Sequence, residues 1–196
     1  MRECCRKRFR VVAVMLGAAL LFALVGSCAG GEAAQRGRSG GLAFTEDGEG
    51  GYTFDTGVVR GKLEPGERTL GLSSVVYVPS GAKLDGAYGI LSYYRVFTRD
   101  KRYGHAAWEW PCDSKVLPGG ELQVYWPGGE EHPFEIFATY RWVDETTLDL
   151  ETVVKAERDL EDFEVFLASY LDRAFGVPYT YVGESPDTEG KAGFMR

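Results

Sequence analysis

The chain has 196 residues with 22 basic against 29 acidic side chains, a formal net charge of −7 at pH 7. An acidic surface without a compensating basic stripe repels phosphate backbones and argues against nucleic acid as a partner. Of the four cysteines only Cys112 lies beyond residue 41, so no disulfide can form between body residues and stability must come from an apolar core.

The first element is a basic segment, Arg2, Arg6, Lys7, Arg8 and Arg10, followed by an apolar run over 11–25 (VVAVMLGAALLFALV). A basic region before an apolar stretch is the plan of an export signal. The run is 15 residues long, and a transmembrane helix needs roughly 20, so removal is expected rather than spanning. Leu24, Val25, Gly26, Ser27 and Cys28 resemble the lipobox of bacterial lipoproteins. That resemblance implies lipidation of Cys28 and cleavage before it, with residues 1–27 as the discarded signal peptide. The alternative is an ordinary signal cleaved nearby, with Cys28 incidental. Cleavage before Cys28 takes five of the 22 basic residues and one of the 29 acidic ones, leaving a net charge of about −11. The protein is thus expected to be exported and anchored to a membrane through Cys28, facing the periplasm or the cell exterior.

Residues 28–41 include AGGEAAQRGRSGG, small, polar and glycine-rich, which reads as a flexible tether. Residues 42–196 are enough for one domain with its own core. Turn signals punctuate them at Gly50-Gly51, Pro65-Gly66, Pro79-Ser80-Gly81, Pro118-Gly119-Gly120 and Pro127-Gly128-Gly129. Between the turns lie YTFDTG, SSVVYV, ILSYYRVF and ELQVYW, aromatic and β-branched segments of strand length. The clearest strand begins at Phe134, with Phe134, Ile136, Ala138, Tyr140 and Trp142 on one face and Glu135, Thr139 and Arg141 opposite. Asp144 and Glu145 form a turn, and Leu148, Leu150, Thr152, Val154 and Ala156 continue a hairpin whose Asp149, Glu151 and Lys155 side is expected to be solvated. Residues 160–174 fit helical and strand periods alike, and a third antiparallel strand over 163–171 is expected because consecutive strands usually pair. Short strands with frequent turns and no βαβ rhythm predict an all-β protein, an antiparallel β-sandwich.

Residues 133–175, PFEIFATYRWVDETTLDLETVVKAERDLEDFEVFLASYLDRAF, resemble the middle of the galactose mutarotase-like family, a large β-supersandwich. The resemblance covers roughly a quarter of the chain and rests on pattern rather than on rare motifs. It implies a supersandwich, incomplete at its C-terminal end here, and it puts Ala168 where the family has its catalytic histidine. Alanine cannot transfer a proton, and the strand that would bring the general base is not completed before Arg196. No catalytic residue is therefore expected.

Of the two histidines, His132 precedes a proline in an acidic turn and reads as surface. His105 lies near Arg95, Arg99, Arg102, Trp108, Glu109 and Trp110. Sugars are held by aromatic faces under their C–H groups and by charged groups on their hydroxyls, so Arg95, Arg102, His105, Trp108 and Trp110 are the candidate ligand-binding residues. The plainer alternative is a twisted strand pair with core tryptophans and surface arginines. No HExxH, CxxC, P-loop or GxSxG occurs in the sequence, and neither a metal nor a cofactor is expected. Glu130-Glu131 and Glu161-Asp162 are adjacent in polar stretches and read as solvated charges, because strand neighbours point to opposite faces. The leading expectation is a lipid-anchored sandwich that binds carbohydrate or a partner without catalysis. A carbohydrate-active enzyme whose catalytic strands lie outside this chain, and a structural envelope protein, are the alternatives. The sequence leaves the oligomeric state open.

Overall fold

A computed structural model describes residues 6–14, 41–65, 71–175, 180–182 and 193–195. The expectations for Cys28, the tether and most of the apolar leader lie outside these residues. The strands are β1 (Arg6–Val14), β2 (Gly41–Glu46), β3 (Tyr52–Asp55), β4 (Val59–Leu63), β5 (Leu72–Tyr77), β6 (Ala82–Lys83) and β7 (Ser92–Phe97). After a 3-10 turn at Ala107–Glu109 come β8 (Asp113–Val116), β9 (Leu122–Trp126), β10 (Phe134–Trp142), β11 (Thr147–Ala156), β12 (Glu164–Ala168), β13 (Thr180–Val182) and β14 (Gly193–Met195).

The architecture is an all-β sandwich of antiparallel sheets. One sheet has the order β1-β11-β10-β9-β8 and the other β2-β3-β4-β5-β6, with β12-β7 and β13-β14 as separate pairs. In β10 burial alternates along the whole strand, with Phe134, Ile136, Ala138, Tyr140 and Trp142 inside. The period of two alone puts these five side chains on the core face. They meet Phe44, Phe54, Val59, Leu63 and Leu72 of the second sheet, with Phe54 against Trp142 at 5.0 Å between ring centroids. Polar bonds also cross between the sheets: the Tyr52 hydroxyl donates to Ser114 Oγ at 3.0 Å and Thr56 Oγ1 to the Glu145 carbonyl at 2.8 Å.

The strand expected over 163–171 forms only at 164–168, and its partner differs from the expected one. β12 leaves the β10–β11 hairpin and pairs with β7, Glu164 opposite Phe97 and Ala168 opposite Ser92, with a register shift at Phe166/Leu167. One bridge ties the separate β7–β12 ribbon to the second sheet: Leu72 of β5 and Ile90, just before β7, exchange backbone hydrogen bonds, both at 2.8 Å. Gly71 permits this approach, since a Cβ there would stand 2.5 Å from the Ile90 carbonyl oxygen and 2.8 Å from the Ser92 nitrogen. Tyr93 of the ribbon reaches across the core, its hydroxyl 2.5 Å from Thr152 Oγ1 and its ring 4.9 Å from Trp126.

Three further expectations are corrected. Asp149 is buried rather than solvated, because Arg141 on the neighbouring strand holds its carboxylate at 2.6 Å. His132 is half-buried rather than on the surface, its ring 3.9 Å from that of Trp110. Glu161 and Asp162 are solvated as expected, but they do not point to opposite faces. They sit in a turn with Asp162 at φ +51°, and both bond Arg99, at 2.7 and 2.8 Å.

Candidate functional site

The segment between β7 and β8 positions the predicted residues. Thr98 and Lys101 close a tight loop, Phe97 bridges Arg102, and Tyr103 N–H returns to the Val96 carbonyl at 3.0 Å. Gly104, at φ +63°, then turns the chain where Trp110 leaves no room: a Cβ would lie 2.8 Å from its Nε1. The 3-10 turn that follows buries Ala106, Ala107 and Trp108 and sends Trp110 back toward the core.

Two tryptophans two residues apart thus serve different environments. Trp110 packs on His132 and Phe134, and burial there holds the His132 imidazole below its usual pKa. Trp108, 6 % exposed, stacks on Tyr88 at 5.7 Å with the rings 4° apart and on Tyr94 at 4.9 Å with the rings 15° apart. Tyr88 continues to Tyr170 at 4.9 Å, and Tyr94 to Phe166 at 6.1 Å. The result is a row of five rings, Tyr170, Tyr88, Trp108, Tyr94 and Phe166, whose solvent-facing members are Tyr88 at 39 % and Phe166 at 44 % exposure.

Arg95 belongs to this row. Its guanidinium carbon lies 4.4 Å over the Tyr94 ring and its NH2 donates to the Tyr94 hydroxyl at 2.8 Å, while its Nε is buried with no protein acceptor. A guanidinium over an aromatic face keeps its plane ordered by cation–π attraction, so the remaining donors are presented in fixed directions. Arg102 and His105 lie on the exposed loop instead: Arg102 donates to the His105 carbonyl, and His105 Nδ1 is 3.3 Å from Glu109 Oε1. Of the five predicted residues the row contains Arg95 and Trp108, Trp110 is in the core, and Arg102 and His105 form a separate pair.

Sequence reasoning missed Tyr88, Tyr94, Phe166 and Tyr170. Phe166 carried a signal, since Phe163, Val165 and Leu167 alternate inward and leave an aromatic ring at an outward position. Tyr88, in the glycine-flanked DGAYG turn, carried none, because its contact with Trp108 joins residues 20 positions apart.

A second concave surface lies on the outer face of the β8–β11 sheet, a cleft of about 360 Å³ lined by Leu117, Glu121, Thr139, Arg141, Asp149 and Glu151. Arg141 neutralises Asp149 there. Among the described residues no group of three or more His, Cys, Asp or Glu side chains is placed to hold a metal ion. Asp144, in the β10–β11 turn, has its carboxylate pKa lowered by the Thr146 N–H, which donates to it at 2.8 Å, so turn formation accounts for it. No family model, curated protein or solved structure matches this chain.

Proposed function

We propose that this protein is an extracytoplasmic, lipid-anchored β-sandwich that binds carbohydrate through the β7–β12 ribbon, without catalysis. The observation that carries the reading is the five-ring row flanked by Arg95. Exposed Tyr88 and Phe166 offer apolar ring surface for sugar C–H groups, and the Arg95 guanidinium is ordered on the adjoining Tyr94 ring. Trp108 and Trp110 do not contact the ligand in this reading. Trp108 stands between Tyr88 and Tyr94 and orders both by stacking. The leader plan of residues 1–27 and the lipobox-like residues before Cys28 support export and anchoring. Ala168, where the resemblance calls for an acid, supports the non-catalytic part.

Titration of a glycan panel against wild type, Tyr88→Ala, Phe166→Ala and Arg95→Ala tests the binding. Loss of a charged hydrogen bond, about 1.5–3 kcal/mol, should weaken a responding glycan on the order of tenfold or more. Unchanged affinity in all three variants removes the row, and anomer interconversion by the purified chain removes the non-catalytic reading. Membrane fractionation and intact mass of wild type and Cys28→Ala test the anchor. A second reading, a protein partner on the same ribbon, is favoured by the exposed apolar side chains of Leu171 and Phe175 just beyond β12.

A further inference from the structure

The two ends of the five-stranded β1–β8 sheet are closed differently. At the β8 end the second sheet supplies the cover: Phe44 N–H donates to the Gly120 carbonyl at 2.9 Å and the Tyr52 hydroxyl reaches Ser114. At the other end the neighbour of β11 is β1, paired antiparallel along its full length from Arg6 opposite Lys155 to Val14 opposite Thr147. Residues 6–14 lie within the segment that the export reading removes.

The backbone bonding of β11 identifies what removal would bare. Glu157 N–H donates to the Pro133 carbonyl and Val143 N–H to the Thr147 carbonyl, which aims the odd-numbered residues of β11 at β10. In an antiparallel strand alternate residues aim their N–H and C=O groups to opposite sides. Leu148, Leu150, Thr152, Val154 and Ala156 therefore direct theirs to the edge that β1 occupies. Without β1 this is a ten-residue edge whose edge-directed residues are apolar except for Thr152, a form that proteins cover or pair rather than leave open.

We infer that export cleavage opens the β11 edge and that the β11 strand of a second copy takes it, in antiparallel register about a two-fold axis through Thr152. The inference rests on the export reading of residues 1–27. The register follows from the edge-facing set and from charge. Pairing must place even-numbered residues opposite even-numbered ones, and centring on Thr152 sets Leu148 opposite Ala156, Leu150 opposite Val154 and Asp149 opposite Lys155 of the other copy. Opposite charges facing each other across strands are favourable and like charges unfavourable, a preference that the pairing of Asp149 with Arg141 and of Lys155 with Glu135 reduces without reversing. Centring on Leu150 sets Asp149 against Glu151, centring on Glu151 sets that residue against itself, and centring on Val153 sets Asp149 against Glu157. The Thr152 register avoids all three clashes and keeps the buried Leu148, Leu150 and Val154 on one continuous apolar face. A two-fold pairing of this kind closes on itself and ends at a dimer.

The register is testable by interchain disulfides, because it alone sets residue 151 of one copy opposite residue 153 of the other on the outer face. The exported full-length protein is made as the double variant Glu151→Cys/Val153→Cys and as each single variant, oxidised in its membrane and run on non-reducing gels, with intact mass reporting the leader. The expected result is that most of the cleaved double variant migrates at twice the monomer mass, while the single variants, which share Cys112, do not. The same double variant made without export, with β1 retained and Cys4, Cys5 and Cys28 replaced by Ser, is expected to stay monomeric, and adding Lys155→Glu to the exported variant is expected to lower the yield of linked dimer. A cleaved double variant that stays monomeric overturns the dimer alone. Linking by either single variant overturns the Thr152 register. A mass that retains the leader overturns the export reading and the dimer together.

Discussion

The β9–β11 part of one sheet and the β7–β12 ribbon use the same residue types for opposite ends. In β10 and β11 neighbours in sequence are neighbours in the sheet, from Phe134 opposite Ala156 to Trp142 opposite Leu148 without a register shift. Regular pairing fixes which side chains are buried and leaves the outer face to ion pairs such as Lys155–Glu135 at 3.2 Å. The ribbon joins strands far apart in sequence, shifts register at Phe166/Leu167, and leaves aromatic rings at the surface. The regular sheet buries Tyr140 and Trp126, both 2 % exposed or less, and covers its outward aromatics with each other and with a cation, Tyr125 stacking on Phe137 at 4.5 Å and Lys155 lying over Phe137. The irregular ribbon leaves Phe166 exposed.

That contrast is sharpened most by truncating the regular side. Leu150 is fully buried, and Leu150→Ala should cost about 2–5 kcal/mol, from lost transfer energy and the cavity left behind. Urea unfolding should show it as a lower midpoint, and a loss under 1 kcal/mol would mean that the hairpin is not the centre of the core. The next effect falls at the junction of the ribbon with the second sheet. Buried Asp85 accepts Ser74 N–H at 2.9 Å and Val75 N–H at 2.7 Å, and Ser74 is held at φ +51°. Asp85→Ala leaves both donors without the carboxylate and should cost about 2–3 kcal/mol. It should also weaken glycan binding, since Gly86 and Tyr170 are bonded beside it and Tyr170 ends the aromatic row. Stability lost with binding intact would separate the ribbon from that junction.

The smallest effect concerns His132, whose imidazole pKa is lowered, first by burial. The unfolded chain then binds the proton at higher pH than the folded one, so this contribution is present above the ordinary histidine pKa of about 6.5 and is lost as pH falls below it. Unfolding midpoints between pH 7.5 and pH 5 should fall more in wild type than in His132→Gln. Equal slopes would show that the Trp110–His132 contact tolerates the charge.

Much of the fold was legible where the period of two runs through local pairs. Phe134 through Trp142 and Leu148 through Val154 showed their buried face in sequence, and Gly and Pro marked the turns between strands. The expected third strand failed in its pairing because alternation states which face a residue takes and not which strand lies beside it. Asp149 failed for a related reason, since its exposure depends on Arg141 one strand away. Of the site, Arg95 and Trp108 were legible as residue types suited to sugars, and Trp110 was chosen on the same chemistry although the turn at 107–109 sends it into the core.

By itself the sequence determined the all-β character, the strand spans of the hairpin and its core face, because each follows from side-chain periodicity and turn chemistry within a few residues. Only the tertiary structure decided that β12 joins β7, that Tyr88 stacks on Trp108, and that β1 lies on the β11 edge. These contacts link residues distant in the chain, and they are selected by which exposed edges and rings remain once the local pairs have formed.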